Sequence, residues 1–188
     1  MDALDLLTAD HNRVRGLFAR FQEAHEKDDT VQMAELASKI VEELQVHTKI
    51  EEQVFYPAVH DLDDLSEIVD EGAEEHHVVD VLMAEMATLD PSDPQWVAKM
   101  TVLIENVEHH AEEEESEMFP QVRKVTDDAT REEWGRRMET LKKELGAPTS
   151  EEAAELTMDE LRRMAAEQQI PGRSSMSREA LAATVDPR

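Results

Sequence analysis

Apolar residues recur every three or four positions along most of the chain. Leu4, Leu7, Val14, Leu17, Phe18 and Phe21 form one stripe over residues 3–27, the spacing of an amphipathic helix. Val31, Leu36, Ile40, Leu44, Ile50 and Val54 point inward from a second helix over about 30–56, which Pro57 kinks or ends. A third helix is predicted over about 65–88. A fourth covers about 94–119, with Asp93 as its N-cap and Pro94 as its first residue. A fifth, about 130–145, opens with a Thr130-x-x-Glu133 capping box and stops at Gly146. Polar turns at Lys27–Thr30, His60–Asp64 and Asp90–Pro94 separate the first four, and residues 1–147 carry no strand pattern. The expected fold class is all-α: an antiparallel up-down four-helix bundle plus a fifth helix and a small C-terminal helix-loop-helix.

Polar residues interrupt the inward stripes in a repeated way. His47-Thr48-Lys49-Ile50-Glu51-Glu52 leads to Tyr56-Pro57, and His110-Ala111-Glu112-Glu113-Glu114-Glu115 leads to Phe119-Pro120. Both copies have Glu at plus four and plus five, an aromatic at plus nine and Pro at plus ten. On a helix, residues i and i+4 share a face about 6 Å apart along the axis, so each copy is a half-site for a metal. Plus five lies about 140° away from the His, so Glu51 and Glu114 are the expected ligands rather than Glu52 and Glu115.

Four histidines then fall at one height. His11 and His47 are centred on residue 29, His47 and His76 on 61–62, His76 and His110 on 93. Each midpoint lies in a predicted turn, as antiparallel helices require for residues at one level. Val14, Leu17 and Phe18 follow His11 at the offsets where Val79, Leu82 and Met83 follow His76. A lone His on an apolar face reads most simply as a buried residue with one hydrogen-bond partner. Six polar groups in one core layer (His11, His47, Glu51, His76, His110, Glu114) are different, because burying them without a compensating cation costs several kcal/mol per ionised group. Four imidazoles and two carboxylates suit two metal ions, and nitrogen and oxygen donors without sulfur fit iron or manganese, with zinc a further option.

Charge and composition narrow the function. A net charge of −26 opposes nucleic acid and anionic membranes and attracts cations. The absence of cysteine excludes disulfides, iron–sulfur clusters and thiol catalysis. The first residues carry neither a basic segment nor an apolar run, so no signal peptide is expected. No apolar stretch is long enough to span a bilayer. A cytoplasmic protein is the default expectation.

The words Asp10-His11-Asn12-Arg13-Val14, His47 to Pro57, Glu74-Glu75-His76-His77 and His109 to Pro120 resemble the hemerythrin-like (HHE cation-binding) family, most of all its actinobacterial and mycobacterial members, over residues 1 to about 125. The resemblance implies a non-haem, oxo-bridged di-iron centre that meets O2, hydrogen peroxide or nitric oxide, with manganese a less favoured occupant. Oxygen carriers in the family have His four residues after the third-helix His and Asp five after the fourth-helix one. This chain has Asp80 four after His76, and Glu114 and Glu115 after His110. Some relatives with that pattern are similar to catalases in decomposing peroxide, so peroxide decomposition is the expected activity. The alternatives are a non-catalytic sensor or carrier of O2, nitric oxide or iron, and a metal-free helical scaffold.

Several neighbours are open. His77 and His109 sit about 100° from the seam and read as surface residues or as groups that support the ligands. Asp80 is placed to ligate or to hydrogen-bond a ligand imidazole, Glu115 to support the site, and Tyr56 to pack or to donate a hydrogen bond to an oxidant.

The chain divides at 1–147 and 148–188. Gly146 to Ser150 reads as a linker, followed by a helix with a Thr157-x-x-Glu160 capping box, a loop at Ile170 to Ser177, and a helix capped by Ser177. Ile170-Pro171-Gly172-Arg173-Ser174-Ser175-Met176-Ser177 resembles the Rho N-terminal/SAP-like module, whose members often bind nucleic acid. Eight acidic against five basic residues in 148–188 favour a packing or protein-contact role here.

Overall fold

A computed structural model describes residues 1–62, 64–147 and 156–187. The elements are α1 (Ala3–Glu26), α2 (Thr30–Ile50), α3 (Tyr56–Val59), α4 (Ser66–Met86), α5 (Pro94–Glu113), α6 (Phe119–Val125), α7 (Asp128–Glu144), α8 (Met158–Glu167) and α9 (Arg178–Thr184). No strand occurs among the described residues. None of the described helices is long and apolar enough to cross a membrane. Asp63 of the predicted turn and Pro148–Ser150 of the predicted linker lie outside the described residues.

Part of the acid excess serves helix starts. Asp2 accepts from the Leu4 and Asp5 amides at 2.8 and 3.1 Å, Asp29 from Gln32 at 3.0 Å, and Asp93 from Gln95 at 2.8 Å. A carboxylate there satisfies orphan N–H groups and suits the positive end of the helix dipole. The fifth bundle helix begins earlier than the Thr130-x-x-Glu133 pattern suggests. Asp127 is its cap, accepting from the Thr130 amide at 2.8 Å, so Thr130 lies inside the helix.

The two motif-bearing helices run on past their expected ends. α2 passes into a π-helical turn, Glu51–Phe55, and then α3; α5 passes into a π-helical turn, Glu114–Met118, and then α6. In both, the aromatic amide (Tyr56, Phe119) reaches back five residues to the carbonyl of the plus-four Glu. The prolines supply the reason. Pro57 and Pro120 have no N–H for the carbonyl four residues earlier, and their rings crowd it. One extra residue in the turn relieves that crowding and keeps the rod continuous, so Pro57 does not end the helix. Such π turns are rare and concentrate at functional positions.

The apolar core is in two parts. One gathers Phe18, Phe21, Leu36, Ile40, Met83, Met100 and Leu103. The other gathers Leu4, Leu7, Ile50, Phe55, Val69, Phe119 and, from α7, Trp134 and Met138. The helices place the polar layer between them. Val31, expected inward, is 71% exposed, and Met33 takes the buried place. Two residues turn a helix by about 200°, so Met33, Leu36, Ala37 and Ile40 stay in phase and Val31 does not.

α8 and α9 share a small core of Leu161, Ala165, Ile170 and Leu181. Thr157 and Ser177 cap them as expected. The pair docks on α1. A Cβ on Gly16 would stand 2.5 Å from the Gln168 carbonyl oxygen, so only glycine admits this approach. The buried Arg13 donates through Nε to the Thr184 carbonyl at 2.8 Å and through Nη2 to the Ala183 carbonyl. It thereby satisfies carbonyls that the end of α9 leaves without helical partners.

Candidate metal centre

Glu51 (0% exposed), Glu114 (1%), His76 (3%), His11 (4%), His47 (5%) and His110 (5%) meet in one buried layer. The six residues singled out by the stripe pattern are therefore brought together. They form two imidazole pairs. His11 Nε2 lies 3.2 Å from His47 Nε2, and His76 Nε2 lies 3.2 Å from His110 Nε2. Ring centroids are 4.8 Å apart in each pair, at 66° and 62°. The carboxylates span the pairs. Glu51 Oε2 is 3.2 Å from both His47 Nε2 and His76 Nε2. Glu114 lies 3.3 Å from His11 Nε2 and 3.8 Å from His110 Nε2.

The outer face of the layer fixes the rings. Glu115 Oε1 accepts from His11 Nδ1 at 2.8 Å, Glu52 Oε1 from His76 Nδ1 at 3.1 Å, and Glu75 Oε2 from His110 Nδ1 at 2.7 Å. A carboxylate accepts only, so these Nδ1 atoms carry the proton and each Nε2 turns a lone pair inward. The layer thus aims imidazole lone pairs and carboxylate oxygens at one another. Among the described residues, the buried side-chain atoms left without a hydrogen-bond partner are His47 Nδ1, both oxygens of Glu51 and Glu114 Oε2. All four belong to this site. A donor set of this kind calls for cations, and nitrogen and oxygen donors without thiolate suit iron.

The electrostatics divide the six groups. Burial, with the neighbouring His11, drives the His47 imidazole well below its ordinary range. Burial and His110 lower His76. At His11, hydrogen bonds to Glu114 and Glu115 outweigh burial and raise it. Burial and then the charge of Glu114 push Glu51 well above the carboxylate range. At Glu114, burial is outweighed by His110 and His11, which hold it below that range. Two carboxyls in one dry layer divide in this way when one favours its proton.

The neighbouring candidates separate cleanly. The Tyr56 hydroxyl donates to Glu114 Oε1 at 3.1 Å and lies 3.5 Å from His110 Nε2. Burial and the charge on Glu114 keep it protonated. A Cβ on Gly72 would stand 2.7 Å from this hydroxyl and 3.3 Å from His110 Cε1, so glycine makes the room for both. His77 and Asp80 are exposed on α4 and are not among the converging donors. His109 faces solvent and reaches Glu75 and Glu113 rather than the layer. Glu115 meets His11 Nδ1 on the outer face of the layer. Glu52 and Glu75 were missed by the stripe pattern. The 140° offset that removes Glu52 from its own helix's seam aims it at His76 on the next helix. The signal for it was the Glu-Glu pair kept in both copies of the repeat.

A family model described as the hemerythrin HHE cation binding domain matches residues 2–122. A curated protein named DNA nickase, from Nostoc sp. strain PCC 7120, is 27% identical over 148 residues, covering 77% of this chain and 40% of its own length. The chain therefore spans well under half of that relative. No solved structure matches the chain at a significant level.

Proposed function

The chain belongs to the hemerythrin HHE cation-binding family, and from that premise we propose that it is a di-iron protein of the cytoplasm that reacts with small oxidants, above all hydrogen peroxide. One observation carries the proposal: two imidazole pairs spanned by two carboxylates, in a layer that contains every partnerless buried polar side-chain atom among the described residues. His11, His47, Glu51 and Glu114 would hold one cation and Glu51, His76 and His110 a second. The exchange of electrons with an O–O bond is what a bound iron pair supplies.

The chain's own residues do the rest. Glu51 and Glu114 offset cationic charge in a low-dielectric layer, where each carboxylate is worth more than in water. Glu115, Glu52 and Glu75 hold three imidazoles in the tautomer that leaves Nε2 free. The Tyr56 hydroxyl keeps a donor proton at Glu114. The apolar clusters on either side exclude bulk water.

The test is peroxide turnover by iron-loaded protein, followed by oxygen release. Disproportionation gives one O2 for every two peroxides consumed. A stable optical adduct without oxygen release would instead mark a sensor or carrier. DNA nicking, in the name of the Nostoc relative, is not adopted. The chain covers only 40% of that protein, and a net charge of −26 repels phosphate.

A further inference from the structure

Outside the buried layer, α4 and α5 bring a second set of donors together. His109 Nε2 lies 3.4 Å from Glu113 Oε1, one turn on along α5, and 4.0 Å from Glu75 Oε1 on α4. The three donor atoms all fall within 4.8 Å of one another. No hydrogen bond joins them. A His–Glu pair four apart on a helix is, by itself, an ordinary surface ion pair worth a few tenths of a kcal/mol. Glu75 makes this case different. Its Oε2 is fixed by the Nδ1–H of buried His110 at 2.7 Å, which leaves Oε1 for the donors on the solvent side. Its side chain is only 21% exposed, against 63% for His109. One donor is thus held in place before any ligand arrives.

The spacing fits a cation better than direct contact. With metal–ligand bonds of about 2.1 Å, two donors at a tetrahedral centre stand about 3.4 Å apart. The His109–Glu113 separation has that value, and the His109–Glu75 separation needs a small rotation of an exposed imidazole. We propose that Glu75, His109 and Glu113 form a surface site for one divalent borderline cation of the zinc or ferrous type. The site is distinct from the buried layer and joined to it through the two oxygens of Glu75. The net charge of −26 concentrates such ions at the surface. One imidazole and two carboxylates leave a position for water, so binding is exchangeable.

The test is equilibrium dialysis of the iron-loaded chain against zinc alone, with iron and zinc counted together. Wild type takes up one zinc per chain beyond its resident metal. His109→Ala loses that equivalent or binds it at least about tenfold more weakly, and Glu113→Gln falls between. Iron content stays equal in all three. The His109 side chain is 63% exposed, so its truncation leaves the buried core intact and the variant folds. Equal zinc uptake by wild type and His109→Ala overturns the site, as does no uptake by wild type. If the buried layer held no iron, the one-equivalent difference between wild type and His109→Ala would still be read, so the two proposals fail separately.

Discussion

His47–Pro57 and His110–Pro120 are near copies that differ in what surrounds them. Each ends in a π turn that begins at the shared Glu, and each sends its next Glu to a histidine on a neighbouring helix. Each plus-nine aromatic stacks on such a histidine, Tyr56 on His76 at 5.4 Å and Phe119 on His11 at 6.1 Å. The copies then part. His110 has Glu75 on its outer nitrogen, and Glu114 has the Tyr56 hydroxyl. His47 Nδ1 and both oxygens of Glu51 have no hydrogen-bond partner. The counterpart of Glu75, the residue before the third-helix His, is Asp10, the residue before His11. Asp10 is one methylene shorter and is held by buried Lys142 of α7, with Arg13 4.0 Å away. The His110–Glu114 half therefore leaves one buried polar atom, Glu114 Oε2, without a hydrogen-bond partner, and the His47–Glu51 half leaves three.

The largest expected effect tests what holds Asp10. Lys142→Met strands a buried carboxylate, and breaking such a pair costs about 3–5 kcal/mol of stability, read by denaturant unfolding. A loss under about 1 kcal/mol would mean that Asp10 is free to serve His47.

The shared carboxylates should respond in opposite senses in chelated protein. Glu51→Gln should stabilise the metal-free fold near neutral pH by about 1–3 kcal/mol, because it removes a group whose charge burial penalises. Glu114→Gln should not, because His110 and His11 favour its charge. Glu51 has a raised folded-state pKa, so its contribution is present below about pH 4.5 and is lost as pH rises through the folded value. The benefit of Glu51→Gln should vanish near pH 4.5 and grow toward neutrality, which thermal melts across that range would measure. Equal effects at both positions would erase the distinction between the halves.

Glu75→Gln should weaken iron retention by about 10–100-fold in chelator competition, as loss of a carboxylate behind a ligand imidazole does. Asp10→Asn should do less, since Asp10 accepts nothing from His47. The smallest effect is Tyr56→Phe, which makes the plus-nine residues alike and removes one hydrogen bond worth about 0.5–1.5 kcal/mol. It should slow peroxide turnover more than it lowers iron content.

Much of this was legible in the chain. Periodicity gave the helices, and the midpoint rule placed His11, His47, His76 and His110 at one height. Ring orientation was not legible, because Glu52 and Glu75 act across helices and a single-helix wheel has no neighbour in it. The π turns escaped because proline usually ends a helix, and here one extra residue absorbs its clash. Asp127 displaced Thr130 as the cap because its carboxylate accepts from the Thr130 amide and so starts the helix before Thr130. The docking of α9 on Arg13 and of the end of α8 on Gly16 consists of tertiary contacts with no local signature.

Counting iron in the protein as purified from iron-replete cells tests the central claim most directly, with His76→Ala measured beside it. The account predicts about two irons per chain, falling to about one or fewer in a variant that stays helical. Iron near zero in wild type, or a content unmoved by His76→Ala, would contradict it.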